Sequence, residues 1–274
     1  MSLFACPICG ERLDRLEKAY VCPNGHSYDI ASEGYVYLLP PNKKHSKMPG
    51  DDKAMVASRR RFLESGCYRI FSDALNNLAL KYYPADGSAI VDAGCGEGYY
   101  TSRLAEFFSE HGMNPPLCGF DISKFAVKAA AKKYRSIPFA VGSMFGVPVP
   151  DSSAGLLTNV FAPIVPEEFA RVVEPCGAMI LAVPSERHLF GLKQILYEEP
   201  YENERHDTEY PGFRFIERVP IRGEIRTDDR QLIRDLFTMT PYFWKTPRAG
   251  SERLAAAGHL ETEIGFDFLV YKRA

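Results

Sequence analysis

Four residues near the start of the chain have the chemistry of a metal site. Cys6, Cys9, Cys22 and His26 follow the spacing C-x2-C-x12-C-x3-H. Thiolate and imidazole are donors that zinc prefers, and a C-x2-C turn aims two sulfurs at one ion. Gly10 and Gly25 lie beside these ligands, where a tight knuckle needs a permissive backbone, and Pro7 and Pro23 stiffen the turns. The segment holds too few large apolar residues to fold around a core of its own, so a bound ion would supply the missing stability. Four protein ligands complete the coordination, so the expected zinc is structural and not catalytic.

A second constellation lies in VDAGCGEGYYT, residues 91–101. Gly94, Gly96 and Gly98 follow an apolar run that ends in Asp92, a pattern that brings backbone close to a ligand. Such a loop could serve NAD, FAD or S-adenosylmethionine. The dinucleotide fingerprint G-x-G-x-x-G needs a third glycine where this chain has Tyr99, which counts against a pyrophosphate. Asp92 suits a ligand with a cationic amino-acid portion. Asp121, 23 residues after Gly98, ends the next apolar run, where a carboxylate accepts from both ribose hydroxyls. Alone, Asp121 would read equally as an acid at a helix start. As a set, these residues favour S-adenosylmethionine.

The elements that must position this loop alternate along the chain. AIVDAG, PLCGFDIS, PFAVGS, AGLLTNVFAP and GAMILAVP read as buried strands. TSRLAEFFSEHG, SKFAVKAAAKKY (with Ser123 as N-cap) and PEEFARVVEP read as the helices between them. This rhythm predicts an α/β fold, a doubly wound, mostly parallel sheet with ligands at the C-terminal strand ends. Earlier, SYDIASEGYVYLLPP predicts one or two strands on the zinc module. Helices are expected from about Lys53 to Gly66 and from Tyr68 to Tyr82. Later, RHLFGLKQILYEE reads as a helix, FRFIERVPIRGEI as a strand pair, RQLIRDLFTMTPYFWK as one amphipathic helix and ETEIGFDFLVYKR as a closing strand. Trp244 is expected in the core.

The chain has 274 residues, room for one large domain and a small satellite. No stretch of 18 uncharged apolar residues occurs, which argues against a membrane span, and the N-terminus lacks a secretory pattern. A cytoplasmic location is expected, and seven unevenly placed cysteines there argue against a disulfide framework. The formal net charge of -2 gives no hint of nucleic acid, but residues 41–62 gather Lys43, Lys44, Lys47, Lys53, Arg59, Arg60 and Arg61 against Asp51 and Asp52. That stretch suits either a polyanion or a solvated linker and helix start.

The order of these features resembles one family. The knuckle is followed by EGYVYLLP, the basic linker with PGD and RRRFL, then GCGEGYYT, FDISK, FAP, RHL and MTPYFW. This combination resembles the bacterial 23S rRNA (guanine-N1)-methyltransferases of the RlmA group, which are class I S-adenosylmethionine-dependent enzymes. The likeness runs from Cys6 to the closing strands. It implies zinc on Cys6, Cys9, Cys22 and His26, and cofactor contacts from Tyr68, Tyr100, Thr101 and His188 beside the glycine loop and Asp121. Three parts are expected along the chain: residues 1–40 as a zinc-binding RNA-recognition module, 41–87 as basic linker and helices, and 88–274 as the methyltransferase domain, where the strand–helix rhythm fails at about 187–229, an insertion expected over the substrate cleft. The implied reaction is methyl transfer to N1 of a guanine in a hairpin loop of 23S rRNA. The branch of the family, the particular guanine and a homodimer stay open.

Zinc knuckle, basic linker and aromatics such as Tyr35, Tyr37, Phe62, Tyr68, Tyr99 and Tyr100 could together hold RNA, although most of these rings suit a core. NVFAP (159–163) stands where the acceptor is expected, bringing Asn159 and Phe161 near it, or it is only a strand-to-loop turn. No residue stands out as the base that would take the guanine proton. Pro175-Cys176 follows a late helix and does not suit a catalytic thiol. The rival readings are a small-molecule methyltransferase, a non-catalytic RNA-binding module that keeps the cofactor fold, and a nicotinamide dehydrogenase.

Overall fold

The computed structural model describes residues 2–41 and 49–274. Lys43, Lys44 and Lys47 of the basic stretch lie outside the described residues. The N-terminal segment forms a three-stranded antiparallel ribbon, β1 (Asp14–Arg15), β2 (Ala19–Val21) and β3 (Ser27–Asp29). The chain then leaves it for β4 (Val36–Tyr37), which pairs in parallel with a strand of the main sheet. Phe4, Leu13, Tyr20, Val36 and Leu38 are buried in one apolar cluster with Val91, Ala93 and Phe120 of the main sheet. The ribbon thus borrows the core it cannot build alone.

Helix α1 (Lys53–Glu64) starts where the Asp52 side chain accepts from the backbone N–H groups of Ala54 and Met55. It stops just before Gly66, whose φ of +86° takes the chain out of the helix. Helix α2 (Arg69–Tyr82) follows. The alternating part then runs β5 (Ala89–Ala93), α3 (Tyr99–Glu110), β6 (Leu117–Asp121), α4 (Lys124–Lys133), β7 (Phe139–Val141), β8 (Ala154–Val160), α5 (Pro166–Val172) and β9 (Val173–Pro184). Every residue of β5 is buried, as a strand covered on both faces requires. Ser123 caps α4 through a bond from the N–H of Ala126.

The last part holds α6 (Phe190–Leu196), β10 (Phe213–Thr227), α7 (Arg230–Thr238), α8 (Tyr242–Lys245), α9 (Arg248–Ala256) and β11 (Leu260–Arg273). The main sheet has eight strands in the order β10-β11-β9-β8-β5-β6-β7-β4. Strands β9, β8, β5, β6, β7 and β4 pair in parallel, while β11 and β10 are antiparallel. The sequence order therefore reverses beside β5, which puts the glycine loop at the switch point where such sheets bind ligands.

Three expectations are corrected here. FRFIERVPIRGEI is not a strand pair but part of one long strand, β10, laid against β11 over its whole length. RQLIRDLFTMTPYFWK is not one helix, because Pro241 separates α7 from the short α8. Trp244 is not in the core; it is 66% exposed, with its indole N–H toward the sulfur of Met55 at 3.3 Å.

Candidate active site and metal centre

The ligand atoms of Cys6, Cys9, Cys22 and His26 all lie within 4.8 Å of one another. The Sγ atoms of Cys9 and Cys22 are 3.7 Å apart, and His26 Nδ1 lies 3.3 Å from Cys22 Sγ and 3.5 Å from Cys6 Sγ. Tetrahedral zinc with sulfur at about 2.3 Å and nitrogen at about 2.0 Å demands edges of roughly 3.5–3.8 Å, so the donor set fits that ion. Two tight turns make it: Gly10 N–H bonds to the carbonyl of Cys6 and Gly25 N–H to that of Cys22, both glycines at positive φ. The hydroxyl of Tyr28 lies 3.0 Å from Cys6 Sγ, a donor that would orient and support a metal-bound thiolate.

The glycine loop joins β5 to α3. Gly94, Gly96 and Gly98 all have positive φ, which side chains resist. Gly94 also has no room: a Cβ there would come within 2.5 Å of Ala162 Cβ and 2.9 Å of Met144 Cε. The loop therefore packs directly beneath the turn that follows β8. Asp121, at the tip of β6, braces it. Its Oδ2 accepts from Gly96 N–H at 3.0 Å and its Oδ1 from Ser123 N–H at 2.8 Å. Each carboxylate oxygen keeps a lone pair for a further donor. This is the geometry expected of a ribose acceptor at the second strand of a nucleotide-binding sheet.

Asp92 is buried and lies one strand inward. It accepts from the hydroxyls of Thr101 on α3 and Thr158 on β8. Thr158 was not foreseen, because it faces Asp92 only through the parallel register of β5 with β8. Burial pushes the Asp92 carboxyl up to about 6, against the opposing pull of the two hydroxyls. An unfolded Asp ionises near pH 4, so between about pH 4 and 6 the folded chain holds a proton that the unfolded chain has released. Stability from this group is therefore lost as pH rises through that window, by up to about 3 kcal/mol. Asp92→Asn should unfold at a higher temperature than the parent at neutral pH. The gap should close near pH 4 in calorimetry over a pH series. S-adenosylmethionine affinity should fall in the same variant, as expected of an acid that balances a cationic ligand.

Tyr68, at the start of α2, and His188, after β9, meet across 120 positions of sequence, with the phenol 3.3 Å from Nε2. Gly265 N–H donates to His188 Nδ1 at 3.1 Å, which places the imidazole proton on Nε2, facing Tyr68. Burial, with Lys193 and Arg222 nearby, pulls the His188 pKa down to about 3, so the ring is neutral at physiological pH. The Tyr68 phenol is pushed well up by burial, with Tyr100 among its neighbours. Tyr100 stands on the first turn of α3, edge-on to Tyr99 at 5.1 Å. Phe266 and Phe161 close this aromatic wall, with centroids 5.6 and 5.4 Å from the His188 ring. The structure thus gathers Asp92, Thr101, Tyr68, His188 and the loop around the C-terminal ends of β5, β8 and β9.

The arginines of the basic stretch are engaged internally. Arg59 pairs with Asp51 at 2.7 Å, Arg60 with Glu97 at 3.1 Å, and Arg61 forks onto both oxygens of Asp235. Of the rings offered for stacking, Tyr35, Phe62 and Tyr68 are buried. Beyond α6, the buried Lys193 pins the following loop through the Tyr201 carbonyl and Asn203 Oδ1, and Asn203 bonds back to the Ser185 carbonyl.

A mostly parallel sheet with this strand order, a glycine loop at its switch point and paired acids at the tips of neighbouring strands defines a class I S-adenosylmethionine-dependent methyltransferase. Residues 84–211 match the model of a methyltransferase domain, and residues 4–47 match that of the RlmA N-terminal zinc ribbon. A 23S rRNA (guanine(748)-N(1))-methyltransferase of Streptomyces fradiae is 30% identical over 87% of this chain and 85% of its own length. A Micromonospora griseorubida protein, named for 23S rRNA (guanine-N(1)-)-methyltransferase activity, is 35% identical over 68% of this chain and 67% of its own. The chain belongs to the 23S rRNA (guanine-N1)-methyltransferase family. A methyltransferase structure from Anaeromyxobacter dehalogenans, 17% identical, superposes with a TM-score of 0.50 over 73% of this chain and 94% of its own, a likeness of fold alone.

Proposed function

We propose that this protein transfers a methyl group from S-adenosylmethionine to N1 of a guanine in 23S rRNA, and that this guanine lies in a hairpin loop. The observation that carries the reading is the joining of two parts. A Cys3His zinc ribbon shares its apolar core with a complete S-adenosylmethionine sheet. The N-terminal ribbon exposes Arg12, Arg15 and Lys18 interleaved with Glu11, Asp14 and Glu17, while Arg59, Arg60 and Arg61 pair with Asp51, Glu97 and Asp235, so the reading rests on the joined parts and not on a basic patch. A loop guanine suits such an enzyme because it need not be drawn from a full duplex. This reading carries a cytoplasmic setting with it.

Bound S-adenosylmethionine supplies a methyl group on a sulfonium, already activated, so the protein's task is alignment. In this reading Asp121 takes the ribose hydroxyls, Asp92 balances the cationic amino-acid end, and the Gly94–Gly98 backbone allows the close approach. Tyr68, Tyr100, Thr101 and His188 complete the wall. Guanine N1 must lose its proton. Neutral His188 already accepts at Nδ1, and Asp92 is engaged by two threonines. Neither is a fit base.

Incubation with methyl-labelled S-adenosylmethionine tests the substrate class. With unmodified 23S rRNA and a small-molecule extract offered together, label should enter the RNA. Label confined to small molecules would contradict the reading.

A further inference from the structure

We propose that the exposed face of Phe161 is the platform on which the acceptor guanine stacks. This deepens the functional reading above and rests on it. Phe161 follows β8 directly, three residues beyond Thr158, the partner of Asp92. It is 44% exposed, although its ring packs on Phe266 at 4.3 Å and on His188 at 5.4 Å. The rest of the ring is open to solvent beyond the C-terminal end of β8, where the ligand side of this fold lies.

The backbone beneath it is strained. Phe161 has φ +51°, a left-handed conformation that a bulky side chain resists. Its surroundings hold it there. The Phe161 N–H bonds to the Ala182 carbonyl of β9, and the Asn159 amide reaches the carbonyls of Ala93 and Pro163 on either side. Next to it, Ala162 fills the space that Gly94 leaves vacant. The strained turn is thus locked against the glycine loop, and the ring it presents is fixed relative to the cofactor site. An aromatic ring that is half in water, on a strained turn, contributes little to packing for what it sacrifices. A flat apolar face beside a methyl donor suits a splayed nucleobase, which has a π-face of its own.

The test compares Phe161→Asn and Phe161→Tyr. Asparagine tolerates the left-handed conformation and removes the ring, so the fold should survive, with an unfolding temperature close to the parent's. Tyrosine keeps the face. With 23S rRNA and saturating S-adenosylmethionine, Phe161→Asn should lose about tenfold to a hundredfold in kcat/KM, the range for one stacked base. Saturating S-adenosylmethionine removes any difference in cofactor affinity from the comparison, and Phe161→Tyr should retain most of the rate. A folded Phe161→Asn as active as the parent overturns the proposal, and so does a Phe161→Tyr as impaired as Phe161→Asn. Should the parent itself leave 23S rRNA unmethylated, the functional reading fails first, and the stacking assignment with it.

Discussion

Asp121→Ala is expected to weaken S-adenosylmethionine binding by about a hundredfold while leaving the protein folded. Charge-assisted hydrogen bonds contribute about 1.5–3 kcal/mol each, and a carboxylate at this strand tip is placed to accept from two ribose hydroxyls. The same residue holds the loop's shape, through Gly96 N–H, and the start of α4, through Ser123 N–H. Alanine therefore removes the ligand's acceptors and loosens the backbone the ligand rests on. Asp121→Asn separates the two effects. It retains one carbonyl oxygen for a backbone donor, but its amide group presents hydrogens where the second donor arrives. An intermediate loss is expected for it. Titration calorimetry reads both variants, and circular dichroism confirms the fold. An Asp121→Ala protein that binds S-adenosylmethionine within about threefold of the parent would reduce Asp121 to a structural brace.

Loss of the zinc ion should have the second large effect, on stability before chemistry. Carefully purified protein should carry one zinc per chain by elemental analysis. Stripping it with a strong chelator, or Cys22→Ser, should lower the unfolding temperature by about 10 °C or more, since structural zinc contributes many kcal/mol of folding free energy. The effect should not stay local. Cys6 and Cys22 are buried in the same cluster as Val91, Ala93 and Phe120. The ribbon is also tied to the main body by backbone bonds from Ala5 N–H to the Pro148 carbonyl and from Leu38 N–H to that of Val141. RNA affinity should fall further than S-adenosylmethionine affinity, because β5 and β6 lie inward of the β4 edge. A zinc-free chain of unchanged stability would contradict the metal assignment.

What could be read from residues alone was local or periodic. Continuous apolar runs marked the buried strands, Ser123 marked a helix start, and the cysteine spacing announced the metal cluster. What could not be read was set by distant partners. Arg60 and Arg61 look like a polyanion patch until Glu97 and Asp235 are seen to face them. Tyr68 and His188 carry no sign of each other across 120 residues, and only the family resemblance named them together. FRFIERVPIRGEI reads as a strand pair, yet one strand accommodates its Pro220. It sits inside β10 opposite Asp267 and is tolerated because β10 is an edge strand whose outer side needs no partner. Trp244 looked like core because it is large and apolar, but α8 is only four residues long and buries none of its side chains.

The most direct measurement is the identity and position of the methylated nucleoside in 23S rRNA. After reaction with the purified protein, the RNA is digested for mass spectrometry, and a parallel sample is reverse-transcribed. A methyl group on N1 blocks the pairing edge of guanine and stops the transcriptase. The expected result is 1-methylguanosine with one new stop in a hairpin loop, much reduced with Asp121→Ala at limiting S-adenosylmethionine. Methyl on another guanine atom or another base, with no such stop, would contradict the account.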